Sequence, residues 1–113
     1  MNTATALLVL FLAALLEAGG DALVRTGLHA SAMKKVALMV LGGLVLFCYG
    51  YAVNAPAWDF GRLLGIYVVF FFLVAQLINF FAFGQKPTAG ILIGGSLIVL
   101  GGLVISLMKS KPL

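Results

Sequence analysis

Three features of this 113-residue chain predict an all-α membrane protein with four transmembrane helices: its composition, its long apolar runs and the short breaks between them. Hydrophobic residues make up 64% of the chain, charged residues make up 9%, and the mean hydropathy is +1.22. A soluble domain carries about a quarter charged residues. Apolar runs of about 20 residues recur, and each is long enough to cross a bilayer core of about 30 Å. These features exclude the soluble class.

Four transmembrane helices are predicted at residues 4–25, 32–53, 60–83 and 88–108. The linkers between them are short, so we expect consecutive helices to run antiparallel and to pack as neighbours. The chain, residues 1–113, is then a single four-helix domain, and we expect it to form a dimeric bundle. The breaks carry polar and helix-breaking residues: Thr26-Gly27, His29 to Ser31, Asn54-Ala55-Pro56 and Gly84-Gln85-Lys86-Pro87.

The basic residues, which give the net charge of +4, lie mostly at the ends of the apolar runs, where they meet lipid headgroups. No basic patch is interleaved with aromatic residues, which argues against nucleic-acid binding. Cytoplasmic loops normally contain more Lys and Arg than the loops on the other side of the membrane. Here the number of Lys and Arg on the two sides differs by only one. The chain can therefore insert both ways, and this dual topology would permit an antiparallel homodimer. One side receives Arg25, Lys34, Lys35 and Lys86, and the other receives Arg62, Lys109 and Lys111.

Glu17 places a carboxyl group near the middle of the first predicted helix. At helical spacing, Ala13, Ala14, Gly20 and Asp21 share its face, so the acid lies in a niche of small residues. A charge at the bilayer centre costs at least about 2.5–3.5 kcal/mol. Desolvation favours the neutral form of a carboxyl group, so such a group can exchange a proton for a cation. This chemistry predicts a proton-coupled cation exporter; the alternative is a non-transporting accessory or assembly protein in which Glu17 only fixes helix pairing.

Asp21 and Arg25 continue the face of Glu17 in steps of four residues. Two interpretations are open. The two side chains can form a local ion pair across one turn near the membrane surface. Alternatively, Asp21 adds a second acid to the site and raises the proton affinity of Glu17.

Aromatic residues on the second and third helices could supply ring faces to a lipophilic cation near the carboxylate. Tyr67 is the first candidate, and the alternative for these side chains is lipid-facing bulk with an interfacial belt. Gln76 and Asn79 share a helix face roughly opposite Tyr67, and they are the only other polar groups on the facing helices able to balance Glu17.

In the fourth helix, Gly90, Gly94 and Gly101 follow spacings of four and seven, with Leu97 nearby. Small residues let membrane helices approach closely. The stripe predicts a dimer contact, and generic packing within the chain is the alternative. One His, one Cys and three acidic residues are too few for a metal site or a catalytic triad, so we expect neither an enzyme nor a cofactor.

Short motifs near both ends of the chain carry a resemblance to a known family. Glu17 is followed by Gly20 and then by Arg25, where the family usually has Lys. The last third contains Phe83-Gly84-Gln85-Lys86 and then Gly94-x-x-Leu97-x-x-x-Gly101. In these features the chain resembles the small multidrug resistance (SMR) family, the four-helix members of the drug/metabolite transporter superfamily. The run Glu17-Ala-Gly-Gly20, together with Gly61-Arg62 and Tyr67, is even more similar to the neighbouring UPF0060 group of small membrane proteins.

The resemblance implies an antiparallel homodimer in which two copies of Glu17 share one midplane pocket. It also implies alternating access coupled to proton exchange, and export of small lipophilic or guanidinium-like cations from a bacterial-type inner (plasma) membrane. The helix 4 spacing corresponds to the family's dimerisation motif. Three positions depart from the family: Tyr67 stands in place of a Trp beside the pocket, Phe47 in place of a Tyr near the substrate, and Asp21 in place of a small or hydroxyl residue.

Overall fold

A computed structural model describes residues 3–108; Lys109 and Lys111 of the charge count lie outside the described residues. This part of the chain forms α1 (Thr3–Leu28), α2 (Ala32–Asn54), α3 (Phe60–Phe83) and α4 (Ala89–Leu107). All four helices are long and apolar enough to cross a membrane. The prediction of a multi-pass, all-α protein with four transmembrane helices is therefore confirmed.

The first break differs from the prediction, because α1 continues through Thr26 and Gly27 to Leu28. The Thr26 hydroxyl donates a hydrogen bond to the Ala22 carbonyl oxygen at 2.8 Å, so it is satisfied inside the helix. Gly27 lies against α2, where a Cβ atom would come within 3.0 Å of the Leu38 Cβ. Gly27 thus allows close packing instead of ending the helix.

The other two connections end helices as predicted. Between α2 and α3, the Trp58 indole donates to the Val53 carbonyl oxygen at 2.9 Å and ties the linker to the end of α2. After α3, Gly84 adopts a left-handed conformation (φ 65°) that glycine tolerates, and its N–H donates to the Phe80 carbonyl oxygen at 3.1 Å. The Thr88 hydroxyl then caps α4 by accepting from the Ile91 N–H.

The helices lie in the spatial order α2, α1, α3, α4, and the molecule is flat, with principal extents of 52 × 36 × 19 Å. α1 packs against α2 on one side and α3 on the other, and in the described part of the chain α4 packs against α3 alone. Consecutive helices are therefore neighbours in the pairs α1–α2 and α3–α4, as expected. The expectation that consecutive helices pack as neighbours is wrong for α2 and α3: within residues 3–108 their backbones make no contact, because α1 lies between them.

α1 can occupy this central position because one of its faces is made of small side chains. Ala6, Ala13, Ala14 and Ala18 are at most 5% exposed, and Leu10 is fully buried. Small side chains let helices approach closely in a membrane, where no hydrophobic driving force acts between them. Large apolar side chains elsewhere face outward, as a lipid-embedded chain allows. The rest of the buried core comes from α2 and α3: Val53, Leu63, Ile66, Tyr67 and Val74.

Candidate functional site

Glu17 and Tyr67 meet at the contact between α1 and α3. The Tyr67 hydroxyl donates a hydrogen bond to Glu17 Oε1 at 2.9 Å. Tyr67 is 4% exposed and Glu17 is half-buried. Hydrogen bonds that involve an ionised partner are about twice as strong as neutral ones, so a buried phenol can hold the carboxylate in one position. The structure thus brings together the two residues that the sequence analysis ranked first on their helices.

Tyr49 of α2 completes an aromatic cluster around this contact. Its ring stacks on Tyr67 with 5.7 Å between the ring centroids and an angle of 25° between the planes. Phe71 lies next to Tyr67, with 6.3 Å between the two ring centroids. The Tyr49 hydroxyl is also within interaction range of Glu17. Aromatic side chains from α2 and α3 therefore lie around one carboxyl group of α1.

Tyr49 was not singled out from the sequence, whereas Phe47 was. Phe47 is 72% exposed and lies on the face of α2 opposite Tyr49. Side chains two positions apart in a helix point about 200° away from each other. The helical spacing could have identified Tyr49. Gly42, Leu46, Tyr49 and Val53 follow one another at intervals of four, three and four residues, so they share one face of α2.

The small residues near Glu17 are part of helix–helix contacts within the chain. Ala13 and Ala14 belong to the buried core and are 1% and 0% exposed. Gly20 is buried against α2, where a Cβ atom would come within 2.8 Å of the Leu46 side chain. In the single chain these three residues allow close packing and leave no open space for a ligand at their positions.

A polar groove of about 560 Å³ lies between α1 and α3, next to the Glu17–Tyr67 contact. It contains Asp21, and Arg25 lies at its outer end with its guanidinium carbon 5.7 Å from the centre of the Phe83 ring. Among the described residues Asp21 has no salt bridge to Arg25, so the predicted local ion pair does not form. The groove is lined by Ala18, Asp21, Ala22, Arg25, Phe71, Ala75, Gln76, Ile78, Asn79, Phe83 and Gln85.

The two amides singled out on α3, Gln76 and Asn79, both line this groove. The Gln76 carbonyl oxygen Oε1 is buried and has no hydrogen-bond partner among the described residues. An unpaired buried polar atom costs about 1–3 kcal/mol. Neither amide forms a hydrogen bond with Glu17, so the prediction that they balance its charge is wrong. Both amides line the neighbouring groove instead.

The glycines of α4 divide into two sets that face different ways. A Cβ atom at Gly95 would meet the Phe72 ring at 2.5 Å, and Gly102 similarly faces Val69 of α3. At Gly94 and Gly101 a Cβ atom would meet nothing within 4 Å, and Leu97 is 66% exposed. A Cβ atom at Gly90 would meet only the hydroxyl oxygen of Thr88, at 3.9 Å. The predicted stripe of Gly90, Gly94, Leu97 and Gly101 is therefore open in the single chain.

No group of three or more His, Cys, Asp or Glu side chains in the described part of the chain is arranged to hold a metal ion. The chemistry available at the site is proton binding, hydrogen bonding and contact with aromatic rings. No family model matches the chain, and no curated protein or solved structure matches it either.

Proposed function

We propose that this protein is a proton-coupled antiporter that exports small cationic compounds, lipophilic or guanidinium-like, through Glu17. The observation that carries the proposal is the hydrogen bond of 2.9 Å between Tyr67, in the first half of α3, and Glu17, near the middle of the apolar helix α1. Ionisable groups within membrane segments are costly and are found where they serve ion or proton pathways. The resemblance to the small multidrug resistance family supports the same function, in a bacterial-type inner membrane.

The proposed mechanism uses one carboxyl group for two ligands. When Glu17 is protonated, the site is neutral and is tolerated in an apolar environment. When it is ionised, the carboxylate attracts a cation, and the partly exposed ring of Tyr49 offers a π face to that cation. Because proton and cation compete for the same oxygen atoms, binding of one releases the other. This competition is the requirement for exchange.

We propose that the active unit is an antiparallel homodimer joined through α4. The single chain is flat, with a shortest extent of 19 Å, and many of its large apolar side chains are exposed. The open stripe on α4 offers a surface of small residues that a second copy can approach closely. Two copies of Glu17 then contribute to one pocket, and that pocket is completed by both chains.

A second function rests on the same hydrogen bond. Tyr67 is buried and donates to Glu17 within the chain, so this contact is also suited to fix the pairing of α1 with α3. In that case the protein is a non-transporting accessory or assembly partner in the membrane. The two functions differ in what happens when Glu17 loses its ability to titrate.

The test is cation–proton exchange in proteoliposomes, with tetraphenylphosphonium and guanidinium as probes and an internal pH dye as the readout. Glu17→Gln keeps the side-chain size but removes titration, so we expect exchange to be abolished. Asp59→Asn is the matched control, because it makes the same chemical change at an exposed position before α3. Mixing native and Glu17→Gln chains should lower exchange more than in proportion to the native fraction if each unit needs two copies of Glu17.

Exchange that persists in Glu17→Gln would contradict the exporter mechanism. If the native protein exchanges neither probe, the accessory function is favoured. Helical content and elution volume of each variant establish that it is folded.

A further inference from the structure

The groove between α1 and α3 contains two opposite charges that do not neutralise each other. Asp21 and Arg25 are four residues apart on α1, which is about 6 Å along the helix axis. Asp21 has no ion-pair partner among the described residues, and the guanidinium group of Arg25 lies over the Phe83 ring. The groove therefore offers one acidic and one basic group to a ligand, in a fixed order along α1.

We propose that this groove is a binding site for a small free zwitterion that carries a primary ammonium group and an anionic group, as in an amino acid. The ammonium group lies at Asp21, and the anionic group lies at Arg25. This assignment goes beyond cation export at Glu17, because it concerns other residues and a ligand with no net charge.

The ligand's cation must carry N–H donors, because an ionised Asp21 carboxylate in the groove accepts hydrogen bonds. A primary ammonium group has three such donors. A quaternary ammonium group has none, and it would displace water from the carboxylate without replacing the hydrogen bonds of that water.

The outer end of the groove is suited to an anion. The Arg25 guanidinium carbon lies over the Phe83 ring, and the guanidinium group carries five N–H donors in its own plane. Such donors bind a carboxylate or phosphate in a bidentate manner. Asn79 and Gln85 line the same part of the groove and add amide donors. The volume of about 560 Å³ lies within the range of about 300–1,000 Å³ that is typical of small-molecule sites.

The order of the two charges distinguishes a free zwitterion from a lipid headgroup. Arg25 is closer than Asp21 to the end of α1, and hence closer to the membrane surface. In an ethanolamine phospholipid the phosphate lies nearer the acyl chains, and the ammonium group lies on the water side. Such a lipid would present its charges in the reverse order. A free zwitterion that enters from water with its ammonium group first matches the groove.

The experiment measures binding of radiolabelled β-alanine to the full-length protein in phosphatidylcholine nanodiscs by equilibrium dialysis. Three unlabelled competitors test the assignment: propylamine lacks the anion, propionate lacks the ammonium group, and the N-trimethyl derivative of β-alanine lacks the N–H donors. We expect unlabelled β-alanine to compete and each of the three to compete at least about tenfold less well, since a hydrogen bond to a charged group contributes about 1.5–3 kcal/mol.

The variants Asp21→Asn and Arg25→Gln should each weaken β-alanine binding about tenfold or more. Asp59→Asn and Lys34→Gln make the same kinds of change at exposed positions outside the groove and should bind like the native protein. Asp21→Glu and Arg25→Lys keep the charges and should retain part of the affinity. This recovery separates lost recognition from lost folding. Binding is measured without transport, so the result is independent of exchange at Glu17.

Three outcomes would overturn the proposal. Equal binding by native protein, Asp21→Asn and Arg25→Gln would remove the groove as the site. Equal competition by propylamine or by the trimethyl derivative would show that a zwitterion with N–H donors is not required. Displacement of β-alanine when phosphatidylethanolamine replaces phosphatidylcholine would assign the groove to a lipid headgroup.

Discussion

The contact between α1 and α2 and the contact between α3 and α4 both depend on glycine, but in different ways. Gly20 and Gly42 lie at the same level of α1 and α2, so the two backbones approach each other directly. A Cβ atom at Gly42 would come within 3.0 Å of the Val24 backbone nitrogen and 3.1 Å of the Gly20 carbonyl oxygen. Between α3 and α4, Gly95 instead accepts the ring of Phe72, and Gly65 accepts the end of the Ile105 side chain.

This difference shows that closely packed membrane helices can differ in how well their contact tolerates an added side-chain atom. Backbone atoms of a helix cannot move without disturbing its hydrogen bonds, whereas the end of a side chain can change its rotamer. The α1–α2 contact should therefore resist any added atom, and the α3–α4 contact should adjust. α1 also positions Glu17, so the less tolerant contact is the one that supports the candidate site.

The largest effect is expected for Gly42→Ala, compared with Gly43→Ala. The new methyl group at residue 42 meets backbone atoms, and overpacking of this kind costs about 1–3 kcal/mol, partly offset by about 0.5–1 kcal/mol of helix propensity. At Gly43 nothing lies within 4 Å, so the substitution should be neutral or slightly stabilising. The free energy of unfolding in bicelles, measured by steric trapping, checks this difference. Equal stability of the two variants would contradict the close contact of α1 with α2.

A smaller effect is expected for Gly95→Ala, compared with Gly94→Ala. The added methyl group meets the Phe72 ring, which is half-buried and can move aside, so we expect a loss of about 1 kcal/mol. Gly94→Ala points into open space and should leave the unfolding of the single chain unchanged. The same unfolding measurement at low protein concentration applies. A loss at Gly95 as large as that at Gly42 would mean that the two contacts do not differ as described.

The smallest effect on stability is expected for Tyr67→Phe, which tests the junction between the two helix pairs. The substitution removes the hydrogen bond to Glu17 and keeps the ring that stacks on Tyr49. Hydrogen bonds between membrane helices contribute about 0.6 kcal/mol on average, so the fold should persist. Tyr51→Phe is the matched control, since Tyr51 is 71% exposed.

The same pair of variants has a functional readout. If the hydrogen bond positions Glu17 for exchange, Tyr67→Phe should slow cation–proton exchange clearly, while Tyr51→Phe should not. A large loss of stability in Tyr67→Phe without any effect on exchange would favour the accessory function over the exporter.

Much of the architecture followed from the sequence because it depends on local properties. Runs of apolar residues predicted the four helices, and α3 has the predicted bounds, Phe60–Phe83. Glu17 was identified because an acid is conspicuous in an apolar helix, and Tyr67 because of its place among the aromatics of the third helix. Thr26 and Gly27 were misread as a break, since a glycine that ends a helix and one that packs against a neighbour look alike in sequence.

Which faces of the helices pack against each other could not be predicted from local sequence properties. Phe47 and Tyr49 are both aromatic residues of α2, and only the position of α1 decides that Tyr49 stacks on Tyr67. Likewise, Gly94 and Gly95 are adjacent in sequence, and the packing of α3 decides which of them is open.

The sequence alone determined the number of helices, their approximate ends and the central carboxyl group, because helix formation and membrane insertion depend on residues within one segment. Only the tertiary structure decided that α1 lies between α2 and α3, that Tyr67 bonds to Glu17, and that Asp21 and Arg25 face a groove instead of each other. These arrangements depend on steric fit between side chains of different helices, such as Glu17 and Tyr67 at a separation of 50 residues, and no local pattern encodes that fit.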